Sequence, residues 1–252
     1  MDENAAKYED NIMGDNVYLS IVIPAYNEES NIAVTLSDIS EYLRQKDFAC
    51  EVIVADDGSR DNTAKEAEGQ KGKFNDFRII KSTPNRGKGY VLRKAILESR
   101  GNYVLFMDAD NSTSIYEMDK FIPLLRQDAD VYIASRRTSG SEVRVPALRK
   151  IMGEVYILLS RLILGIGVSD INCGFKLFTK KAAKDGFSKQ VMDDWSFDAE
   201  VLFICNKQKF RVVEIPVKWE HRDTSKVRPV KDAVRSFVSL VKIKMNDIKG
   251  LY

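Results

Sequence analysis

The most constraining feature of the sequence is a short apolar segment that ends in two carboxylates. Residues 103–107 are Tyr-Val-Leu-Phe-Met, and Asp108, Ala109 and Asp110 follow directly. Five apolar residues, aromatic and β-branched ones among them, predict a strand that is buried on both faces. In an open α/β sheet, ligands bind beyond the carboxyl ends of the strands, where these two carboxylates fall. Two hard oxygen ligands suit Mg²⁺ or Mn²⁺ carrying a diphosphate, but aspartates are also common in solvated turns.

Strand-like and helix-like segments alternate along the chain, with short connections between them. Strands are predicted at residues 19–23, where Pro24 ends the run, and at 51–55, 78–81, 130–135 and 211–218. Helices are predicted between them, among others at residues 115–127, despite Pro123, and at 196–206. The alternation predicts an α/β fold with a mostly parallel, doubly wound sheet and helices on both faces.

Composition restricts the class of protein further. The 252 residues suit one large α/β domain, and we predict its boundaries at 18–228, between a polar N-terminal lead-in (1–17) and a basic amphipathic C-terminal helix (229–252). Three widely spaced cysteines argue against a disulfide scaffold and favour a reducing compartment. With a single histidine, a zinc site is not expected. Neither a secretory signal nor a run of about 20 apolar residues is present in the sequence.

Two segments carry the pattern of helices that lie on a membrane surface. Residues 148–166 are strongly apolar but interrupted by charges, and the apolar stripe from Val230 to Ile248 is flanked by lysines and arginines. Anionic headgroups attract such a basic flank. Packing on the sheet and an oligomer interface are the alternatives that remain open for both segments. We expect a peripheral protein on the cytoplasmic face of a membrane, and no nucleic acid as a partner.

Four motifs occur in a fixed order: Ile-Pro-Ala-Tyr-Asn-Glu (23–28), Ala-Asp-Asp-Gly-Ser-Arg-Asp-Asn-Thr (55–63), Asn-Arg-Gly-Lys-Gly (85–89) and Asp-Ala-Asp (108–110). A dinucleotide-binding Gly-x-Gly-x-x-Gly after the first strand and a P-loop are both absent. The ordered set resembles the inverting glycosyltransferases of family 2, which have the GT-A fold, over about residues 18–226. Three downstream segments, 170–179, 195–200 and 215–219, are similar to those of the dolichyl-phosphate glucosyltransferases. The Gln-x-x-Arg-Trp signature of processive polysaccharide synthases is absent.

The resemblance implies a site for a nucleotide sugar and a divalent metal. The residues implied for this site are Pro24, Ala25, Tyr26, Glu28, Asp56, Asp57, Lys88, Asp108, Ala109 and Asp110. Asp57 would accept a hydrogen bond from the uracil edge, whereas Asp56 is either a binding residue or a turn residue. Lys88 would approach the diphosphate. Asp110 would bind Mg²⁺ or Mn²⁺ directly, and Asp108 would contact the ribose or a metal-bound water.

The resemblance also implies the acceptor. One sugar, glucose or N-acetylglucosamine with mannose still open, would pass from a UDP-sugar to dolichyl or polyprenyl phosphate and give a β-linked product. Arg136 and Arg137 are expected to hold the acceptor phosphate, because arginine binds phosphate bidentately. A second candidate for the acceptor or diphosphate is the set Arg222, Ser225 and Lys226.

A phosphate acceptor is already largely ionised at pH 7, so a dedicated general base is not required. Asp193 and Asp194 are the candidates if one exists. Three alternatives remain: a glycosyltransferase that uses a glycan or lipid-linked oligosaccharide, a sugar-1-phosphate nucleotidyltransferase, and a non-catalytic nucleotide-binding subunit. The second class usually has a Gly-rich loop after its first strand, and residues 24–28 contain no glycine.

Overall fold

The computed structural model describes residues 17–126, 128–143, 147–220 and 229–252. Its strands are β1 (Leu19–Ala25), β2 (Cys50–Asp56), β3 (Phe77–Lys81), β4 (Tyr103–Met107), β5 (Val131–Ser135), β6 (Glu142–Val143), β7 (Phe175–Thr179), β8 (Val212–Pro216) and β9 (Lys218–Trp219). The main sheet has the order β3-β2-β1-β4-β7-β5-β8, and β6 pairs with β9 in a separate ribbon. In the main sheet only β7 runs antiparallel to its neighbours β4 and β5. The predicted α/β class with a mostly parallel sheet is confirmed.

Helices cover both faces of the main sheet. They are α1 (Ile32–Leu43), α2 (Thr63–Gly69), α3 (Lys88–Glu98), α4 (Met118–Phe121), α5 (Ala147–Leu164), α6 (Lys180–Ser188), α7 (Phe197–Lys207) and α8 (Pro229–Ile248), with 3₁₀ turns at Lys71–Lys73, Ile115–Glu117 and Ile122–Arg126. On one face, Val91, Phe187 and Phe197 from α3, α6 and α7 share a buried core with the sheet. On the other face, Leu36 of α1 and Phe121 of α4 belong to a second core. Burial of both faces explains why the strand sequences are continuously apolar.

Most boundaries differ from the sequence prediction by one residue, and three larger differences each involve a proline. Strand β1 continues through Pro24 to Ala25. Its pairing with β4 ends at Val22, so the missing N–H of Pro24 breaks no hydrogen bond to β4. The segment 115–127 is not one helix but a 3₁₀–α–3₁₀ succession, since Pro123 lacks the N–H that a continuous α-helix needs. The predicted strand 211–218 is divided at Pro216 into β8 and β9.

Strand β7 was not predicted as a strand, although its sequence belongs to one of the motifs. It lies between β4 and β5, with Met107 opposite Phe175 and Val131 opposite Phe178. Because β7 is antiparallel, the loop before it, and not the loop after it, lies at the carboxyl edge of the parallel strands. This places Gly174 beside the two carboxylates that follow β4.

Among the described helices, none is both long and apolar enough to cross a bilayer. Helix α8 packs on α5 and on α7. Its buried side includes Leu240 and Ile243, which join the core on that face of the sheet.

Candidate active site

The loops that follow β1, β2 and β4 meet at the carboxyl edge of the sheet. Ala25 lies opposite Asp56 in the register of β1 and β2, and the Asp57 amide donates to the Ala25 carbonyl at 2.9 Å. The Asp108 amide donates to the Gly174 carbonyl at 3.0 Å, which joins the loop after β4 to the loop before β7. The four predicted motifs are therefore brought to one edge, as parallel strands with ligand-binding loops require.

Asp56 and Asp57 are both buried and have different local roles. Asp56 accepts a hydrogen bond from the Ser59 amide at 3.0 Å, which is the geometry of an Asx turn, so its interpretation as a turn residue agrees with the structure. Asp57 is only 2% exposed, and its carboxylate accepts the backbone amides of Arg86 at 2.9 Å and Gly87 at 2.7 Å. Asp57 thus fixes the loop that leads into α3. A contact of Asp57 with the base stays a prediction.

Hydrogen bonds join the loop after β1 to the loop after β2. Asn27 has a left-handed φ of 54°, and its side chain accepts the Arg60 amide at 2.9 Å. The Glu28 amide donates to the Thr63 hydroxyl at 2.7 Å, and the Glu28 carboxylate accepts from Asn31 at 2.7 Å. Tyr26 remains exposed at this edge. Pro24, Ala25, Tyr26 and Glu28 thus border the same loop cluster, and their contact with uracil and ribose stays a prediction.

Lys88 is the first residue of α3 and points toward the loop after β4. Gly87 has a φ of +112°, and a Cβ there would overlap the Asp193 carbonyl, so only glycine allows the chain to enter α3 in this way. The Lys88 ammonium lies 2.6 Å from Asp108 Oδ1. Burial alone would lower the pKa of Lys88, but the charges of Asp108 and Asp198 raise it above its usual value. Lys88 is therefore a permanent cation at this site.

The two carboxylates after β4 are held differently. Asp108 packs against Gly174, where any Cβ would overlap its carboxylate. Asp110 accepts the Ser112 amide at 2.9 Å through Oδ1, and the backbone between the two carboxylates is held by a 2.7 Å hydrogen bond from the Thr35 hydroxyl to the Ala109 carbonyl. The structure brings Lys88 into contact with Asp108, and a shared metal contact of Asp108 and Asp110 stays a prediction.

The donor set at this edge fits a hard divalent cation. Within the described ranges, no group of three or more His, Cys, Asp or Glu side chains forms a closed metal cage. Two neighbouring carboxylates without further protein ligands suit Mg²⁺ or Mn²⁺, which keep waters and take phosphate oxygens as their remaining ligands. Asp110 and Asp108 are the residues that would hold it.

The two arginines after β5 are not equivalent. Arg136 forms a bidentate pair with Asp170, from Nε at 2.8 Å and from Nη2 at 2.9 Å. Burial opposes ionisation, but this pairing raises the pKa of Arg136 and lowers that of Asp170. Arg137 is exposed, and its guanidinium packs against the backbone of Gly153 in α5. No carboxylate among the side chains that the structure describes pairs with Arg137, whereas Arg136 is committed to Asp170.

The two candidate bases are held in ion pairs. Asp193 contacts Arg93 at 3.0 Å and Arg86 at 3.6 Å. Asp194 accepts the Ser196 amide at 2.9 Å and lies 3.1 Å from Arg235 of α8. Burial tends to raise the pKa of Asp194, but its contacts with Ser196 and Arg235 hold it below the usual range. These contacts assign both residues to positioning the loop before α7, and a base role for either stays a prediction.

A buried ion pair that was not predicted from the sequence lies beneath the site. Lys176 of β7 is 1% exposed and pairs with Asp198 of α7, and it also donates to the Cys173 carbonyl at 2.8 Å. Burial raises the pKa of Asp198, and the neighbouring lysines Lys176 and Lys88 oppose this rise. Lys176 and Asp198 stand out in the sequence as charged residues within apolar segments, and this pattern could have predicted the pair, because charges are rarely buried unless they are paired.

The candidate phosphate ligands Arg222, Ser225 and Lys226 lie outside the described residues.

Comparisons with known proteins show the family of this chain. The family described as glycosyl transferase family 2 matches residues 20–187. The chain is 31% identical to a dolichyl-phosphate β-glucosyltransferase of Dictyostelium discoideum and covers 77% of it, with 94% of the chain aligned. The human protein of that name is 32% identical, with 93% of the chain and 77% of the relative covered.

Solved structures show the same fold at low sequence identity. Glucosyl-3-phosphoglycerate synthase from Mycobacterium tuberculosis, in complex with Mn²⁺, UDP and glucosyl-3-phosphoglycerate, aligns with a TM-score of 0.68 at 17% identity, over 96% of this chain and 81% of that one. Mannosyl-3-phosphoglycerate synthase from Rubrobacter xylanophilus aligns with a TM-score of 0.70 at 14% identity, over 98% and 77% of the two chains.

The mostly parallel sheet with helices on both faces is the GT-A fold of glycosyltransferases. More particularly, the chain belongs to glycosyl transferase family 2 and, within it, to the family of the dolichyl-phosphate β-glucosyltransferases. It is a glycosyltransferase, which leaves the nucleotidyltransferase and the non-catalytic subunit without support.

Proposed function

We propose that the enzyme transfers glucose from UDP-glucose to dolichyl phosphate, with Mg²⁺ or Mn²⁺ and with inversion at the anomeric carbon. The observation that carries the proposal is the meeting of Lys88, Asp108 and Asp110 at the carboxyl edge of the sheet, with Lys88 Nζ 2.6 Å from Asp108. The relatives named for this reaction cover most of the chain and support the choice of donor sugar and acceptor. UDP and Mn²⁺ are bound by a solved protein of the same fold, which supports the nucleotide and the metal.

The chemistry that we propose follows from the charges. In the displacement, negative charge grows on the departing UDP. Lys88 keeps its charge at neutral pH and would lie beside the diphosphate, where a fixed cation stabilises that developing charge. Asp108 and Asp110 would hold the divalent metal, which when bound supplies Lewis-acid stabilisation of the same leaving group.

The acceptor that we propose makes a general base unnecessary. A phosphate monoester is largely ionised at neutral pH, so its oxygen attacks without losing a proton in the step. This agrees with the contacts of Asp193 and Asp194, which are engaged by Arg93 and Arg235. Arg137, exposed on the side of α5, is the residue that we propose to hold the acceptor phosphate.

Turnover of the purified enzyme tests this proposal. We expect transfer from UDP-glucose to a short-chain prenyl phosphate that depends on Mg²⁺ or Mn²⁺ and stops in EDTA. UDP-N-acetylglucosamine and GDP-mannose serve as matched donors, and a soluble glucan serves as the matched acceptor. We expect the coupling constant of the anomeric proton, measured by NMR, to show that the product is β-linked. Transfer to the glucan but not to the prenyl phosphate would show that the acceptor is a glycan and not dolichyl phosphate.

We further propose that α5 and α8 bring the enzyme to the surface of a membrane on its cytoplasmic side. The two helices pack on each other, and each leaves an apolar stripe exposed. The exposed residues are Ile151, Val155, Leu158 and Leu162 in α5 and Phe237, Val238, Val241, Met245 and Ile248 in α8. Exposed basic residues accompany them, for example Arg161 and Lys242, and such charges attract anionic headgroups. The free thiols of Cys50, Cys173 and Cys205 support a reducing compartment.

Vesicle flotation tests this surface. We expect Leu158→Ser together with Leu162→Ser to reduce binding to vesicles that contain anionic lipid, while turnover of a water-soluble prenyl phosphate persists. The matched control is Val34→Ser, because Val34 is about as exposed as Leu158 but lies on α1. If the double variant floats normally but dissociates an oligomer, the face is an interface between copies of this chain and not a membrane surface.

A further inference from the structure

Trp195 is an exposed aromatic side chain at the edge of the active site that the proposed chemistry does not use. It is 74% exposed, whereas Phe197, two residues further on, is fully buried. Lys88 Nζ lies 5.6 Å from the centre of the Trp195 ring and 5.7 Å from that of Phe197. The cation that we place beside the diphosphate therefore has two aromatic rings at nearly the same distance, and the ring of Trp195 is exposed.

The loop that carries Trp195 is fixed on both sides. Asp194 accepts the Ser196 amide and pairs with Arg235, and the Ser196 hydroxyl donates to Ser239 of α8 at 2.6 Å. These contacts hold the chain on either side of Trp195, while its exposed ring gains little from the protein core. Such a ring provides a rigid contact surface at small entropic cost, as aromatic side chains do in binding sites.

We propose that the indole ring of Trp195 forms one wall of the subsite for the transferred sugar. The inference rests on the proposed function, which places the donor diphosphate at Lys88. In a sugar nucleotide, a single oxygen joins the anomeric carbon to the second phosphate, so the sugar ring begins directly beside the group that Lys88 contacts. The C–H groups on the face of a pyranose present apolar surface, and the faces of aromatic rings pack against such surface.

The same ring in the same place has one competing use. Tryptophan is also common at membrane interfaces, where its apolar body and polar N–H suit the headgroup region. The short distance to Lys88, whose ammonium is bonded to Asp108, favours the sugar, because a ring at that distance faces the diphosphate site. The fluorescence of Trp195 with nucleotides and with vesicles separates the two uses.

The chain has two tryptophans, which allows each to be observed alone. The second, Trp219 in β9, has its ring centre 5.4 Å from the guanidinium carbon of Arg136. In the variant Trp219→Phe, the emission of Trp195 is measured while UDP or UDP-glucose is added in the presence of Mg²⁺. We expect UDP-glucose to shift or quench the emission clearly more than UDP does. In the matched control Trp195→Phe, which reports on Trp219, the two nucleotides should give the same response.

Kinetics provides the second measurement. We expect Trp195→Ala to raise the KM for UDP-glucose about tenfold and to leave the inhibition constant of UDP unchanged, whereas Trp195→Phe should recover most of the loss. Equal responses of Trp219→Phe to UDP and UDP-glucose would overturn the inference even if the enzyme transfers glucose. A response to vesicles alone would also overturn it and assign Trp195 to the membrane surface. Failure of the wild type to turn over any prenyl phosphate would instead contradict the proposed function.

Discussion

The ammonium of Lys88 lies 2.6 Å from the carboxylate of Asp108, so the first residue of α3 forms an ion pair with a residue 20 positions further on, in the loop after β4. We predict that Lys88→Met lowers kcat about a hundredfold, since one fixed charge at a developing anion is typically worth that much. The control Lys88→Arg keeps the charge and should recover part of kcat. Steady-state kinetics with UDP-glucose measures both. An unchanged kcat in Lys88→Met would exclude a role of this cation at the leaving group.

Asp110 offers a sharper test of the metal. The change Asp110→Asn keeps an oxygen for the Ser112 amide but removes the charge. We expect the affinity for UDP to lose its dependence on Mg²⁺ or Mn²⁺, while the melting temperature stays close to that of the wild type. Calorimetric titration with and without metal measures this. The control is Asp185→Asn, which alters an exposed ion pair with Lys181 and should leave metal-dependent binding intact. Full metal-dependent binding by Asp110→Asn would contradict the assignment.

The different surroundings of Arg136 and Arg137 predict different consequences of their loss. Arg137→Ala should raise the KM for the prenyl phosphate by roughly ten- to a hundredfold, because one charge-assisted contact is worth about 1.5–3 kcal/mol. The affinity for UDP should be unaffected. Initial rates at varied acceptor concentration, with UDP binding alongside, measure the two effects. If UDP affinity falls and the acceptor KM does not, Arg137 serves the diphosphate.

Arg136→Ala is expected to act on stability first. It would leave Asp170, whose side chain is 3% exposed, as a buried charge without its bidentate partner. Breaking a buried pair from one side costs about 3–5 kcal/mol. Urea denaturation of Arg136→Ala and Arg137→Ala compares the two positions, and only the first should be strongly destabilised. Equal stability of both variants would show that the Arg136–Asp170 pair contributes little to the fold.

Glu51 gives a prediction for the pH dependence of stability. Its carboxylate, fully buried in β2, accepts from the Ser20 hydroxyl at 2.6 Å, from Arg78 at 2.9 Å and from Arg100 at 3.1 Å. Burial would raise the pKa of Glu51, but these partners hold it below the usual value. Because the pKa of Glu51 is lower in the folded state, ionised Glu51 stabilises the fold at pH values above its pKa in the unfolded chain, about 4.3. This stabilisation is lost as the pH falls through the pKa of the folded state.

We therefore predict that Glu51→Gln lowers the free energy of unfolding at pH 7 by about 3 kcal/mol, and that the difference from the wild type shrinks as the pH falls below 4. Urea denaturation at pH 7 and at pH 3.5 measures it. Glu68→Gln, which changes an exposed carboxylate paired with Lys71, is the control and should have little effect at either pH. A difference that grows toward low pH would contradict the sign of this argument.

The sequence predicted those parts of the molecule in which local pattern and tertiary structure agree. Apolar runs such as 103–107 and the polar loops after them predicted the parallel strands and the edge at which the motifs meet. The antiparallel strand β7 was missed because Lys176 interrupts its apolar pattern, and only the partner Asp198, 22 residues away, makes that charge compatible with burial. The roles of Arg136 and Arg137 could not be distinguished for the same reason: the difference lies in Asp170 and Gly153, which pattern alone does not place beside them.

The position of β7 has a consequence for the order in which the protein assembles. Strand β5 pairs with β7 and β8, and both of these leave the ribosome after it. A nascent chain that ends before Phe175 therefore contains β1 to β4 as a parallel block, while β5 has no neighbour in the main sheet. Insertion of β7 connects β5 to this block and in the same step brings Gly174 against Asp108. The strand that connects β5 to the rest of the sheet thus also completes the carboxyl edge beside Asp108, and only the outer strand β8 is added afterwards.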